Sequence, residues 1–335
     1  MPSTLPGVPD IDEQLASSIV ERLGAIEERL RESVATSDEM ARWTARHLMD
    51  AGGKRVRPML VLLAASLGDV DADGVLDAAV LVELTHLASL YHDDVMDSAP
   101  TRRGTDSAHA LWGNNVAILT GDFLFARASG LSARIGTDAV RLHSATFERL
   151  CLGQLHETVG PHDGEDPFAH YISVLSDKTA SLLALAGELG AGLSGAPSGS
   201  ADVMRRYGEK VGVAFQLADD VLDLESDAAT SGKTPGIDLR EGVPTMPTLL
   251  ARRRALADPD PRTLEIVDRL DGDLSSDESL SELVAMLRAD PALEETRLLA
   301  QRTADEAVEI LGELPEGSVR DALTTFTRTL VQRRR

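Results

Sequence analysis

VLDAAVLVELTHLASLYHDDVMD, Val75 to Asp97, runs without a glycine or a proline, and it is rich in Ala, Leu and Val almost to its end. A helix apolar nearly all round belongs in the middle of a bundle, because only burial on every side removes that much apolar surface from water. The stretch therefore calls for other helices around it, and the flanking sequence supplies them. Upstream, Leu15, Ile19, Leu23, Ile26 and Leu30 recur at steps of three and four and share one helical face. Thr36 and Glu39 read as a capping box opening a helix through Met49. Gly52-Gly53 ends that helix, and Pro58 sits in the first turn of the next, which runs to about Leu67. Downstream, helices are expected over 107–131, 137–158, 167–192, 200–226 and 244–256, with several more in the tail. Loop signals fall at 159–167, 194–199 and 227–237, and Pro259 and Pro261 flank another break. No strand-like alternation persists and no fixed repeat stands out. The pattern predicts one all-α domain over 11–335 behind a flexible lead of residues 1–10.

The 335 residues suffice for a large core, and 43% hydrophobic with 26% charged residues is ordinary for a globular chain. Aromatic residues are only 3%, too few for a stacking platform for bases or sugars. A formal charge of -22 repels nucleic acid and anionic lipid, so any polyanion here needs a local basic pocket or a metal. The single cysteine, Cys151, excludes an intramolecular disulfide, fits a reducing, cytoplasmic compartment and is expected as a small buried side chain. The first ten residues lack the basic and apolar blocks of a signal peptide. The longest apolar run of the N-terminal third is Met59 to Leu67 with one Ser. That is far short of the ~20 residues of a membrane span.

Chemistry enters at DDVMD, where Asp93, Asp94 and Asp97 close the apolar helix. At ~100° per residue the three lie within one arc. Alone they would repel one another and raise their pKa values. A hard, oxygen-seeking cation removes that conflict, and Mg2+ typically takes one or two carboxylates plus substrate phosphates. DDVLD repeats the device with Asp219, Asp220 and Asp223, again after an apolar approach through Val213, Ala214, Phe215, Leu217 and Ala218. One such motif is unremarkable in so acidic a chain; two, each on an expected buried helix, point to several cations bridged by a diphosphate. Basic residues cluster nearby in sequence. GGKRVRP carries Lys54, Arg55 and Arg57 at a helix start, where backbone N–H groups favour an anion. Arg102 and Arg103 follow the first acid motif, Lys178-Thr179 opens an apolar helix, and Lys233 follows the second motif. Arg55 taken singly reads as surface charge.

These residues resemble the trans-polyprenyl diphosphate synthases, the isoprenoid-synthase family that elongates allylic diphosphates with isopentenyl diphosphate. The resemblance runs from about Ala35 to the C-terminus. It rests on GGKRVRP at 52–58, ELTHLASLYHDDVMDSAPTRRG at 83–104, GN at 113–114, GD at 121–122, GQ at 153–154 and DKT at 177–179. FQLADDVLD at 215–223, GK at 232–233 and DLREG at 238–242 complete it. It implies a helical bundle around a deep central cavity, usually a homodimer, with several Mg2+ ions per site. It assigns Lys54, Arg57, His86 and Arg103 to the isopentenyl diphosphate, and Arg102, Lys178 and Lys233 to the allylic diphosphate. Asp93, Asp97 and Asp219 match the principal Mg2+ ligands, with Asp94, Asp220 and Asp223 as supporting acids. Thr179 and Gln216 look like polar groups near the allylic cation, and Phe215 would pack on the isopentenyl chain. Arg333–Arg335 resemble the basic end that closes over the isopentenyl diphosphate. After DLREG the family often has a Lys where Val243-Pro244 stands here. That departure puts only minor substrate contacts in doubt.

By the same resemblance, short-chain enzymes block the tail with bulky residues four and five positions before the first Asp. Here those positions are Ser89 and Ala88, with Thr85 and Val82 further back, none of them aromatic. The expected product is therefore an all-trans polyprenyl diphosphate longer than C20, of a kind suited to quinone side chains, with a geranylgeranyl diphosphate synthase as the alternative. A wall from Phe123 or Phe125 would stop the chain earlier. A class I terpene cyclase would carry Asn, Ser and Glu in its second metal motif and has no need of GGKRVRP. A dimetal phosphohydrolase on His86, His92 and Asp93 would favour a softer metal and leaves the second acid cluster unexplained. A subunit of a two-component synthase is a further reading. Membrane contact is expected to be peripheral at most, for product release.

Overall fold

The computed structural model describes residues 11–225 and 235–332. Among them the only strands are Thr101–Arg102 (β1) and Thr105–Asp106 (β2), an antiparallel pair; helices make up most of the rest. The expected lead of residues 1–10 lies outside the described residues, as do Lys233 and Arg333–Arg335. The chain forms two compact units. One comprises the chain through Arg149, Ser181–Gly208 and Ile310–Phe326; the other comprises Leu150–Ala180, Glu209–Glu309 and the end from Thr327.

In the first unit, helices α1 (Glu13–Ser33), α2 (Glu39–Asp50), α3 (Val56–Ala65) and α4 (Val75–Met96) precede the β pair. They are followed by α5 (Ala108–Trp112), α6 (Asn114–Ile135) and the first part of α7 (Thr137–Val159). Nearly all of α4 from Val75 to Ala88 is buried, as its all-round apolar sequence requires. It lies along α6, and the approach is closest at Gly121. A Cβ there would meet His92 Nε2 at 2.3 Å and the Ala88 carbonyl at 3.1 Å, so only glycine fits. α6 is long and apolar enough by composition to cross a bilayer, because Ser, Thr and Gly dilute it without adding charge; the run-length reading above passes over it. α3 packs against α9 (Ser181–Leu193), where a Cβ on Gly190 would sit 2.3 Å from the Val61 carbonyl.

The second unit holds α8 (Pro167–Leu175), a π turn at Ser176–Ala180, and the larger part of α10 (Ser200–Glu225). α11 (Ile237–Glu241), α12 (Met246–Ala257), α13 (Pro261–Leu270), α14 (Asp277–Arg288) and most of α15 (Pro291–Ile310) complete it, with α16 (Ser318–Val331) running into its end. Its core joins Leu217, Val221 and Leu224 of α10 to Leu250, Ile266, Leu283 and Leu287.

Four sequence expectations are corrected. α2 is capped by Asp38, whose carboxylate accepts from the Ala41 N–H at 2.8 Å, and not by Thr36; both residue types suit the position, and the chain takes the one nearer the apolar run. The helix expected over 107–131 breaks at Gly113 (φ 83°), and that over 167–192 is interrupted by the π turn. Cys151 is exposed. It stands on α7, whose outer face its neighbours Arg149 and Leu152 flank.

Candidate active site

The two acid motifs share one local design. In the first, Asp94 turns inward and is fully buried, and Arg102 Nε donates to its Oδ1 at 2.6 Å. Burial pushes the Asp94 pKa up, and Arg102 opposes the shift. Its Oδ2 is buried without a hydrogen-bond partner. Asp93 is half-buried and Asp97 exposed. In the second motif Asp220 is the buried member. Tyr171 Oη donates to its Oδ2 at 2.6 Å, and the Met246 N–H donates to the same oxygen at 3.0 Å. Burial raises Asp220 to about 8 despite those two donors, and burial, with Asp220 beside it, holds the Tyr171 hydroxyl protonated. Asp219 and Asp223 remain half-buried beside it on α10. The equal arc expected for each triplet is thus split: the middle acid anchors the helix, and the outer two face more open surroundings.

An orphaned buried oxygen on Asp94 and an all-carboxylate donor set fit a hard cation. Among the described residues no three Asp, Glu, His or Cys side chains are gathered into a closed metal site. A cation here would therefore draw most of its shell from phosphate oxygens and water, as Mg2+ does.

The basic residues of the first unit are arranged around α4. Gly52 (φ 89°) and Gly53 (φ 148°) bring the chain against Arg103, and a Cβ on Gly53 would lie 3.0 Å from that guanidinium. Arg103 Nη1 donates to the carbonyls of Leu48, at 3.0 Å, and Gly52. Burial lowers its pKa, with Glu83 opposing. Arg57 is lowered to about 10 by burial, and its Nε is buried without a partner. An unsatisfied guanidinium N–H asks for an anionic oxygen. His86 is held neutral by burial and by the guanidiniums of Arg57, Arg103, Arg102 and Arg55. Lys54 is exposed at the start of this segment. Arg55 is not surface charge: it is buried, with Nε 2.5 Å from Glu27 Oε1 and Nη1 2.8 Å from Glu83 Oε1. It adopts the left-handed φ of 47° at the α3 cap, which turns its side chain toward α1 and α4.

In the second unit the π turn carries Lys178 and Thr179. Lys178 is ion-paired with Glu157, and Thr179 Oγ1 donates to Gln216 Oε1 at 3.3 Å. Gly212 permits this, since a Cβ there would sit 2.4 Å from Ala180 Cα. Phe215 is half-buried on α10. Gln154 Oε1 is buried and unpartnered; the GQ pair at 153–154 signals that position, although sequence reasoning gave it no role. Tyr171 and Glu157 carry no sequence signal at all. Along α4, Val82, Thr85 and Ala88 are wholly buried, and Ser89 Oγ donates to the His86 carbonyl at 2.9 Å. Of the two candidate walls, Phe125 stacks on Phe147 at 4.3 Å, whereas Phe123 lies under Arg127.

The profile of the polyprenyl synthetase family matches residues 38–286. A nonaprenyl diphosphate synthase of Mycobacterium tuberculosis is 41% identical over 96% of this chain and 95% of that protein. The crystal structure of a polyprenyl synthase from Caulobacter crescentus, complexed with calcium and isoprenyl diphosphate, superposes with a TM-score of 0.88. It is 33% identical and is matched over 96% of this chain and 98% of that one. A geranylgeranyl pyrophosphate synthase from Corynebacterium glutamicum, also with calcium and isoprenyl diphosphate, gives a TM-score of 0.84 at 40% identity, over 96% and 98% of the two chains.

Proposed function

The chain belongs to the polyprenyl synthetase family and is a prenyltransferase, and on that premise we propose that it condenses isopentenyl diphosphate with an allylic diphosphate in a Mg2+-dependent reaction giving an all-trans product longer than C20. The observation that carries the reading is the duplicated motif, in which the middle Asp is buried and fixes its helix while the two outer acids lie nearer the surface. A divalent cation bound there neutralises diphosphate charge and improves the leaving group. In the first unit Asp93 and Asp97, and in the second Asp219, are the carboxylates that would hold cations, with Asp223 in support, while Asp94 and Asp220 each anchor their own helix.

Arg57, Arg103 and Lys54 bind the isopentenyl diphosphate, with the neutral His86 beside them as a hydrogen-bond donor. Arg57 contributes its unpartnered Nε–H. Lys178, Arg102 and Lys233 hold the allylic diphosphate, and Thr179, Gln216 and Phe215 line the region of the allylic carbons. Water must be kept from the carbocation, and the apolar walls of the helices do that. Val82, Thr85, Ala88 and Ser89 border the path of the growing tail, and the small Ala88 and Ser89 with no aromatic ring behind them favour a long product. The similarity to a nonaprenyl diphosphate synthase supports that length. The chain works as a homodimer in the cytoplasm, with peripheral membrane contact at most.

The test is product analysis of the purified chain with isopentenyl and farnesyl diphosphates and Mg2+. Prenyl diphosphates beyond C20 are expected. Phosphate release without elongation, or turnover only after a second protein is added, would contradict the proposal. Ala88→Phe should shorten the product to about C15–C20 while keeping the first condensation, because the ring fills space that the tail needs.

A further inference from the structure

We propose that Glu83 of α4 is a positioning residue for the isopentenyl diphosphate, the buried carboxylate on which the arginines of that seat are assembled before the substrate arrives. This role rests on the reading above that Arg57 and Arg103 bind that diphosphate. Glu83 is the only Asp, Glu, Lys or Arg between Asp77 and Asp93, and it is 2% exposed in the middle of an apolar helix. Its Oε1 accepts from Arg55 Nη1 at 2.8 Å and lies 3.9 Å from Arg103 Nη2. His86 follows one turn later on the same side of α4. Among the described residues only three other than glycine have a left-handed φ, namely Arg55 (47°), Ser98 (51°) and Arg103 (54°). Two of the three bring their guanidiniums to this one oxygen. Such backbone persists only where the surrounding structure over-determines it, and it gathers at ligand clamps.

A buried ion pair is weak grounds for stability, since apolar side chains of similar volume often serve a fold as well. What Glu83 adds is negative charge in a place crowded with cations. Burial lowers the pKa of Arg57 and of Arg103, and in both Glu83 is the strongest opposing group. Arg103 also depresses Arg57, and Arg55 depresses Arg103, so the guanidiniums alone would drive one another apart. With the carboxylate among them they stay together. Arg55 is held further by Glu27 Oε1 at 2.5 Å and by the Met49 carbonyl at 3.1 Å, and it pins the chain two residues before Arg57. Arg103 is fixed from elsewhere by the carbonyls of Leu48 and Gly52. None of these bonds uses Arg57 Nε, which stays buried and unpartnered. The seat is thus organised in advance, and the repulsion among its cations is met by Glu83 before any diphosphate binds.

The experiment is steady-state kinetics with each substrate varied in turn, on wild type, Glu83→Gln and Glu83→Asp, beside calorimetric titration with isopentenyl diphosphate alone. Glu83→Gln keeps the size and removes the charge. It should raise the KM for isopentenyl diphosphate about tenfold or more, the scale of one lost charge-assisted contact. The KM for farnesyl diphosphate should stay within about twofold and kcat within about threefold, the pattern of lost binding rather than lost chemistry. Glu83→Asp keeps the charge but draws it back by one methylene. It should raise the same KM by a smaller factor, about threefold, and it serves if the glutamine variant does not fold. A chain that merely folds less well loses kcat and keeps both KM values. That pattern, equal rises in both KM values, or a KM for isopentenyl diphosphate within about twofold of wild type in both variants would overturn the role of Glu83 alone. A wild-type chain that condenses nothing would overturn the reaction, and the titration then decides separately. Affinity about tenfold weaker in Glu83→Gln upholds the part of the carboxylate, and equal affinities end it.

Discussion

Asp94 and Asp220 occupy the same place in two motifs, and the same physics sets both: each is buried, pushed toward protonation by desolvation and held by donors from elsewhere in its own unit. Spacing along a helix reveals three acids in one arc, but it cannot reveal which of them finds Arg102, or Tyr171 and the Met246 N–H, because those partners are remote in sequence. Anchoring and outer acids should therefore separate by experiment. Asp93→Ala should reduce kcat at least ~100-fold, the scale of losing one electrostatic stabiliser of a transition state, with a nearly unchanged thermal midpoint. Asp94→Ala strands Arg102 and removes a buried anchor, so it should cost about 1–3 kcal/mol of stability, lowering the midpoint as well as the rate. Equal midpoints with equal activity losses would contradict the division. The buried imidazole of His143 supplies a pH test. Its folded pKa is depressed, so below about 6.5, the ordinary histidine value, the unfolded chain binds a proton that the folded chain does not. Stability from this group is present above that value and is lost as the pH falls below it. Thermal midpoints between pH 7 and pH 5 should fall more in wild type than in His143→Gln; parallel curves would contradict the neutral, buried imidazole.

α4 could be read in the sequence almost to the residue, since a long, largely apolar run without glycine or proline is stable as a buried helix. The segment from Pro167 to Leu193 could not. Its hydrophobic pattern is continuous, and the π turn at Ser176–Ala180 that swings Lys178 and Thr179 out of it arises from packing against α10 at Gly212. π turns inside helices are often found at functional sites. Gly113 escaped notice for a simpler reason, because a lone glycine in an apolar pattern is often tolerated within a helix. The α10 contact yields a prediction at this scale. Gly212→Ala puts a Cβ where Ala180 Cα stands, forcing the π turn away and lengthening the Thr179–Gln216 hydrogen bond. The strain should cost about 1–3 kcal/mol and reduce elongation more than it reduces helicity by circular dichroism. Full activity in a stable Gly212→Ala protein would show that the π turn does not position these residues.

For the molecule as a whole, a charge of -22 and two substrates that are themselves polyanions pose the problem that the acid motifs answer. The ordered motifs carried the fold and the reaction class. Burial could not be read in the same way: Arg55, taken as surface charge, is buried between Glu27 and Glu83, and Cys151, expected inside, is exposed. Each depends on a neighbouring helix that no local pattern specifies. Chelation should abolish turnover, and added Mg2+ should restore it, while circular dichroism stays constant, because the buried anchors and apolar cores hold the units without a cation. Loss of helicity on chelation would assign the metal a structural role instead. The most direct measurement is the mass of the products formed by the purified chain alone from farnesyl and isopentenyl diphosphates with Mg2+. A prenyl diphosphate series extending beyond C20 is predicted; a reaction that releases phosphate and adds no five-carbon unit would contradict the account.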